Sequence, residues 1–106
     1  MQTLSLFIDW KDTVLDVGCR DQVLKKYLSG NNYFGVDVDP QSNEVVKVDV
    51  CNEKLPFGDN LFDVVVCSEV MEHLLNPFFA AKEMLRVLKP GGWLIVTVPN
   101  VESVNN

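Results

Sequence analysis

The sequence predicts an α/β fold, a doubly wound parallel sheet of about five strands in the order 3-2-1-4-5. Short apolar runs alternate with segments of helical periodicity, which is the pattern of strands joined by helices. The first run ends at Gly18 and a helical pattern follows, as where a buried strand turns tightly into a helix. A later run, F-D-V-V-V-C-S at Phe62–Ser68, is almost continuously apolar. Such a run is typical of a parallel strand covered on both faces.

Composition limits the class of protein. The chain has 106 residues, of which 47% are hydrophobic, and a formal net charge of -6. This suits a single domain over residues 1–106 with a real core. The acidic balance disfavours nucleic-acid binding, which requires clustered Lys and Arg. No apolar run approaches the ~20 residues that span a bilayer, and no signal-peptide layout opens the sequence. We therefore expect a cytoplasmic protein that binds neither nucleic acid nor membranes.

The cysteines argue against a metal site. Cys19, Cys51 and Cys67 contain no C-x-x-C spacing, and their number is odd. This favours reduced, mostly buried thiols over a disulfide framework or a zinc site. We expect no bound metal.

The first half of the chain is expected to contain three strands and one helix. Residues 1–12 hold an apolar patch, interpreted as a short helix or arm packed on the sheet. Strand one is Thr13–Gly18, and its helix spans about residues 21–29 before a G-N-N stop. Strand two is Tyr33–Asp39 and strand three is Val45–Val50. The residues between strands two and three are too few for the usual crossover helix. Either an abbreviated loop joins parallel strands, which we favour, or the pair is not parallel.

The second half of the chain is expected to continue the alternation of strands and helices. Residues 51–60 form a loop before strand four, and residues 69–75 begin a short helical segment after it. An Asn-Pro pair then starts a helix over residues 77–88, because asparagine favours the N-cap and proline the first helical position. A P-G-G segment ends this helix, and strand five is Trp93–Val98. The helix is expected to bury Phe78, Ala81, Met84, Leu85 and Leu88, and to expose Lys82, Glu83, Arg86 and Lys89.

The expected binding site lies at the carboxyl ends of the strands. Doubly wound sheets bind ligands there, at the switch point between strands one and four. The backbone N–H groups beside a helix N-terminus can meet an anionic ligand group, and Asp16 adds a carboxylate. The residues expected at this edge are 18–22, Asp37 with Asp39, 49–52 and 68–73. Together they predict a cradle for a nucleotide-type cofactor.

Motifs between Thr13 and Asn100 carry a family resemblance. D-V-G-C-R-D-Q, G-V-D-V-D and V-D-V-C-N-E-K-L-P-F-G-D-N-L-F-D-V-V-V-C-S come first. E-V-M-E-H-L and E-M-L-R-V-L-K-P-G-G-W-L-I-V-T-V-P-N follow in order. The series resembles that of class I S-adenosylmethionine (SAM)-dependent methyltransferases, closest to the broad type 11 group, which have a Rossmann-like core. The resemblance implies SAM as cofactor, S-adenosylhomocysteine as product, and methyl transfer to a small molecule.

The resemblance also implies roles for individual residues. Gly18 would let the backbone approach the methionine part, because glycine has no Cβ. Asp37 would accept hydrogen bonds from both ribose hydroxyls, and Asp49 from the adenine amino group. Val50 would lie beside the adenine ring, and Ser68 with Glu69 would face the methionine moiety and the transferring methyl. The implied cofactor-binding set is Asp16, Gly18, Cys19, Arg20, Asp37, Val38, Asp49, Val50, Ser68 and Glu69.

Some of these residues have a structural interpretation as well. Asp37 and Asp39 precede a proline and can simply cap a turn. His73 is the single histidine and the one candidate for a catalytic base, although a structural histidine is the favoured interpretation. Asp63 is interpreted as a structural residue at the entrance of strand four. No catalytic residue is assigned.

The sequence departs from the family pattern in two places. The usual first motif, D-x-G-x-G-x-G, keeps only Gly18, because Arg20 and Gln22 occupy the other glycine positions. Arg20 can block the cofactor or pair with its carboxylate. The sequence also stops at Asn106, whereas the family fold continues through two more strands and a helix. An uncovered strand five predicts a homodimer through Trp93–Val98, cover by the N-terminal arm, or a fragment of a longer protein.

Three functions are compatible with these observations. Methyl transfer from SAM to a small molecule is favoured. A degenerate methyltransferase-like module that holds the cofactor or a partner without turnover is the alternative, supported by Arg20, Gln22 and the missing strands. An NAD-type dinucleotide domain is disfavoured because G-x-G-x-x-G is absent.

Overall fold

The computed structural model describes residues 12–18, 32–68 and 77–97. These residues form five strands and one helix, of which the helix connects the last two strands. In chain order they are β1 (Thr13–Val17), β2 (Asn32–Asp37), β3 (Val46–Lys47), β4 (Phe62–Ser68), α1 (Pro77–Val87) and β5 (Leu88–Thr97). The predicted helix over 21–29, the segment over 69–75 and the N-terminal arm up to residue 11 lie outside the described residues.

The strands form a single sheet in the order β3-β2-β1-β4-β5. Each neighbouring pair is parallel, which confirms the predicted doubly wound sheet and its strand order. β2 and β3 are parallel although only a short loop joins them, so the abbreviated connection is also confirmed. β1 lies in the centre, and its Asp16 is paired with Gly35 of β2 and Val66 of β4.

The core lies on both faces of this sheet. On one face, α1 packs its buried side chains on the central strands; the cluster includes Leu15, Val17, Val65, Cys67, Ala80, Met84 and Val87. On the other face, Val14, Val64 and Val66 form a second cluster, and Tyr33 and Ile95 pack against it. Cys51 and Cys67 are both buried in the core. In the part of the chain that the structure describes, no helix combines the length and apolar character needed to cross a membrane.

The predicted buried face of α1 is wrong in part. Phe78 is 86% exposed and Leu85 is 57% exposed, although both were expected in the core. The residues that α1 buries are Ala80, Glu83, Met84 and Val87, which follow one another at helical spacing. Glu83 was expected in water, but its carboxylate is hydrogen-bonded by Leu55 and Arg86, and a charge can be buried when it is paired in this way.

Strand five begins earlier than the sequence suggests. Leu88 already pairs with Phe62, and the pairing then shifts in register before Val64 meets Trp93. The P-G-G segment therefore forms an irregularity within β5 rather than a break before it. Close packing requires Gly92 there, because an added Cβ would lie 2.7 Å from the carbonyl oxygen of Asp63.

Candidate cofactor-binding site

The carboxyl ends of β1, β2 and β4 lie side by side at one edge of the sheet. Val17 of β1 is paired with Val36 on one side and Cys67 on the other. The next residues along these strands are Gly18, Asp37 and Ser68, so their backbones lie side by side at the carboxyl ends of the strands. This is the edge at which doubly wound sheets bind ligands.

Gly18 forms the turn that leaves β1. Its φ angle is 75°, in the left-handed region that a side chain disfavours. Its N–H donates to the carbonyl oxygen of Val36 at 2.9 Å, which fixes the turn against β2. A glycine is therefore required here by the backbone conformation, whether or not a ligand approaches.

Asp16 is a buried carboxylate beside this turn. Its side chain is 2% exposed, and its Oδ2 accepts a hydrogen bond of 2.6 Å from the hydroxyl of Tyr33. Its Oδ1 is also buried and has no hydrogen-bond partner among residues 12–18, 32–68 and 77–97. Burial raises the pKa of Asp16 from 3.8 to about 6; the bond from Tyr33 lowers this pKa, and the charge of Asp37 raises it. An N–H donor on a ligand would satisfy the unpartnered oxygen.

Asp37 ends β2 and caps the turn that follows. Its Oδ1 accepts the N–H of Asp39 at 2.9 Å, and its backbone carbonyl accepts the N–H of Val48 at 3.0 Å. The hydrogen bond from Asp39 to Asp37 therefore agrees with the interpretation of Asp37 as a residue that caps the turn. It does not exclude a ligand, because each carboxylate oxygen can accept more than one hydrogen bond. Val38, which follows, is 59% exposed.

Asp49 organises the loop after β3. Its Oδ1 accepts the N–H of Cys51 at 3.1 Å, and its Oδ2 accepts the side-chain amide of Asn52 at 2.8 Å. The N–H of Asp49 in turn donates to Oε1 of Glu53 at 2.8 Å. Val50 is buried in the main core cluster. The loop is thus held by its own polar side chains, with Asp49 at its start.

A hydrogen-bonded cluster around Glu83 and Arg86 joins the next part of this loop to α1. The sequence did not predict this cluster. Leu55 donates its N–H to Oε1 of Glu83 at 2.8 Å, and Nε of Arg86 donates to Oε2 of Glu83 at 2.8 Å. Arg86 also donates to the carbonyl of Phe57 at 2.9 Å and to Oδ1 of Asp59 at 2.8 Å. The hydrogen bond from Arg86 is the main cause that holds the pKa of Glu83 below its usual value. The E-x-x-R spacing was the only signal of this pair in the sequence.

Asp63 lies at the opposite end of the strands. Its Oδ2 accepts the N–H of Thr13 at 2.9 Å, and Lys89 donates to its Oδ1 at 3.2 Å. The hydrogen bond from Thr13 is the first cause that lowers the pKa of Asp63. These contacts tie the start of β1 to the start of β4, in agreement with a structural role.

Four residues of the predicted site lie outside the described residues: Cys19, Arg20, Glu69 and His73. Ser68 is described by its backbone, as the last residue of β4. The described part of the site therefore consists of the ends of β1 and β2 and the loop that begins at Asp49.

Comparison with known proteins defines the family. A model of the methyltransferase domain family matches residues 15–96, and the chain belongs to this family. It is 42% identical over 88 residues to the ubiquinone/menaquinone biosynthesis C-methyltransferase UbiE of Ectopseudomonas mendocina, covering 83% of this chain and 29% of that protein. The chain thus spans less than a third of this relative.

Solved structures agree with the fold. The PH0226 protein of Pyrococcus horikoshii OT3 superposes with a TM-score of 0.82 at 26% identity, over 98% of this chain and 53% of that chain. A SAM-dependent methyltransferase from Aquifex aeolicus gives a TM-score of 0.73 at 25% identity, over 90% of this chain and 61% of that chain. The family and these relatives imply SAM as the cofactor.

The residues at the edge suit such a cofactor. SAM has an ammonium group, a sulfonium and two ribose hydroxyls, which call for acceptors and negative charge. Asp16 offers a buried carboxylate oxygen with no partner among the described residues, and Asp37 ends the adjacent strand. Both side chains accept hydrogen bonds and, when ionised, donate none. The donor and acceptor chemistry of the described site therefore fits the group that the family implies.

Proposed function

We propose that this chain is the cofactor-binding part of a methyltransferase that transfers a methyl group from SAM to a small molecule. One observation carries the proposal beyond family membership. Asp16 is buried at the carboxyl edge with one oxygen unpartnered among the described residues. A buried, unsatisfied polar atom is costly, and a ligand donor is the simplest way to satisfy it.

The proposed cofactor-binding residues divide by the part of the cofactor that they meet. Asp16, Gly18, Cys19 and Arg20 belong to the amino-acid end, together with Ser68 and Glu69. Asp37 accepts from the ribose hydroxyls, with Val38 beside it, and Asp49 with Val50 serves the adenine. Arg20 stands where the family has glycine, and pairing with the cofactor carboxylate is the role we propose for it.

Methyl transfer from SAM requires few side chains that take part directly in the reaction. The cofactor supplies a methyl group activated on a sulfonium, and transfer is an in-line displacement at that carbon. The protein contributes orientation and exclusion of water, which are large effects when two reactants are held in line. His73 stays the single candidate for a base, and a base is needed only for an acceptor that must lose a proton.

The acceptor is proposed to be a small molecule. The relative from Ectopseudomonas mendocina is a C-methyltransferase of ubiquinone and menaquinone biosynthesis. Its name makes quinone precursors the first acceptors to test in a turnover assay with labelled SAM. The second function, a module that binds the cofactor without turnover, is supported by Arg20 and Gln22 at the glycine positions. Binding without methyl transfer to any acceptor would favour this second function.

Calorimetric titration with SAM and S-adenosylhomocysteine tests the cofactor site. We expect the chain to bind both compounds, and Asp37→Ala to weaken both by at least about tenfold, because a carboxylate that accepts from hydroxyls is lost. Asp39→Ala is the matched control, since it removes an exposed carboxylate two residues away. A chain that binds neither compound would overturn the proposal. Equal losses in the two variants would remove the specific role of Asp37.

We also propose that two copies associate through strand five. β5 lies at the end of the described sheet, and its Trp93 and Val96 are 52% and 43% exposed. A strand edge with no partner strand among the described residues, and with exposed apolar side chains, favours pairing with another strand. A homodimer would bury this edge.

A further inference from the structure

Tyr33 contacts the buried carboxylate of Asp16 at the carboxyl edge of the sheet. Its hydroxyl donates to Oδ2 of Asp16 at 2.6 Å, within the range of O–H donors to ionised acceptors. Its ring packs against the cluster of Val14, Val64 and Val66. The hydroxyl is therefore held by a side chain whose ring is itself fixed by the core.

The strand register explains how Tyr33 reaches Asp16. Tyr33 is paired with Val14, whereas Asp16 is paired with Gly35. Alternate residues of β2 point to the same face of the sheet, so Tyr33 and Gly35 share the face of Asp16. Because glycine has no side chain, nothing from β2 stands between the tyrosine hydroxyl and the carboxylate. This arrangement depends on the pairing of two strands and is not visible in either strand alone.

The hydrogen bond to Oδ2 fixes the carboxylate of Asp16, and it thereby fixes the position of Oδ1 as well. Oδ2 is held by Tyr33, while Oδ1 is buried with no partner in the described part of the chain. Among the described residues, Tyr33 and Asp37 are the titratable groups that act on Asp16, and its β4 neighbour is Val66. None of these supplies a positive charge, so a cationic ligand group would complete the site.

We propose that Tyr33 is a positioning residue that holds Asp16 so that Oδ1 receives the ammonium group of the cofactor's amino-acid end. This inference rests on the proposed function. Tyr33 touches neither the cofactor nor the reacting methyl in this role, and it acts only through Asp16. The prediction is therefore specific: loss of the hydroxyl harms recognition of the amino-acid end and spares recognition of the adenosine.

Two ligands distinguish recognition of the amino-acid end from recognition of the adenosine. S-adenosylhomocysteine carries the amino-acid end, and 5′-methylthioadenosine has the same adenosine and sulfur without it. By calorimetry at neutral pH, Tyr33→Phe is expected to weaken S-adenosylhomocysteine about tenfold and methylthioadenosine less than about twofold. Equal losses for both compounds would mean that Tyr33 supports the fold rather than this end of the ligand. No loss for either compound would also overturn the inference.

A measurement without ligand tests the contact itself. The carboxyl carbon of Asp16 is followed by NMR as pH is varied, in the unaltered chain and in Tyr33→Phe. Since the hydrogen bond from Tyr33 lowers the pKa of Asp16, its removal is expected to shift the titration to higher pH. An unchanged midpoint would overturn the inference even if binding changed.

The two experiments also separate this inference from the proposed function. If the unaltered chain binds S-adenosylhomocysteine and Tyr33→Phe binds it equally well, the proposed function stands and the inference fails. If the unaltered chain binds neither compound, both fail, and the NMR titration then shows whether the bond between Tyr33 and Asp16 exists without a cofactor role.

Discussion

Asp16 is a single residue whose burial lowers the stability of the fold when its carboxyl group is ionised. A carboxylate that is 2% exposed, with one hydrogen-bond donor among the described residues, is less stable when ionised than it would be in water. A protein under selection for stability alone would place an apolar residue there. A poorly satisfied carboxylate at the edge where doubly wound sheets bind ligands therefore favours the proposed binding role over a purely structural one.

Asp16→Asn is expected to change the pH dependence of stability. The pKa of Asp16 is raised from 3.8 to about 6 in the folded chain, so its stabilising contribution is full below 3.8 and is lost as pH rises through about 6. Asparagine does not titrate. The difference in unfolding free energy, variant minus unaltered chain, should therefore increase by about 2 kcal/mol between about pH 4 and about pH 7.5. Urea denaturation at both pH values measures it.

Asp39→Asn is the control for this prediction. It removes an exposed carboxylate from the turn beside the site, and its effect on stability should stay within about 0.5 kcal/mol at both pH values. A difference for Asp16→Asn that does not change with pH would show that the carboxyl titrates normally.

At the residue scale, the sequence located the carboxylates and the turn but not their contacts. Asp16, Gly18 and Asp37 stand at the ends of predicted strands, and parallel strands bring such ends to one edge. The sequence pattern does not distinguish Tyr33, because it begins a strand with an apolar pattern and its bond spans 17 positions along the chain. A side-chain contact of this range depends on strand register, which the sequence pattern leaves undetermined.

The helix α1 shows the same limit for a whole element. Its existence follows from the Asn-Pro start and the apolar periodicity, and its bounds differ from the expectation by one residue at the end. The sequence pattern predicts its buried face incorrectly, because a glutamate at position 83 resembles a surface charge whereas the structure buries it. The partners that make burial possible are Arg86, three residues on, and the N–H of Leu55, 28 positions earlier. The first partner is visible in the sequence, whereas the second requires the tertiary structure.

Glu83→Ala is expected to destabilise the fold by about 3 kcal/mol, because it leaves the N–H of Leu55 unsatisfied and removes the main partner of Arg86. Asp59→Ala is the matched control. Asp59 also accepts from Arg86, but its side chain is 71% exposed, so its loss should cost less than about 1 kcal/mol. Urea denaturation of the two variants gives both values. Equal costs would contradict the idea that the buried carboxylate anchors the loop.

The same pair has a defined pH dependence. The hydrogen bond from Arg86 keeps the pKa of Glu83 below its usual value of 4.5, and the hydrogen bond from the N–H of Leu55 lowers it further. The stabilisation is therefore present above the usual carboxyl pKa and is lost as pH falls through the lowered value. Glu83 and Asp16 thus respond to acid in opposite directions, and the Glu83→Ala difference should shrink as the solution is acidified.

At the scale of the whole molecule, strand order was predictable and strand extent was less so. Apolar runs separated by turn signals fix which segments enter the sheet, and right-handed connections restrict their order. The extent of β5 was not predictable, because a P-G-G segment has two possible meanings. It can end a helix before a strand begins, or it can form an irregularity inside a strand, as it does here. The close approach of Gly92 to Asp63 decides between them, and that contact belongs to the assembled sheet.

The edge strand β5 yields a prediction for the assembly. Light scattering after size exclusion is expected to give twice the 11.9 kDa mass of one chain, because pairing through β5 buries an apolar strand edge. Val96→Lys, which adds a charge to β5, should yield the monomer. Val46→Lys is the matched control, since Val46 is equally exposed on β3 at the opposite end of the sheet, at 44% against 43%. A single-chain mass for the unaltered protein would contradict the homodimer. Dissociation by Val46→Lys as well would contradict the assignment of the interface to β5.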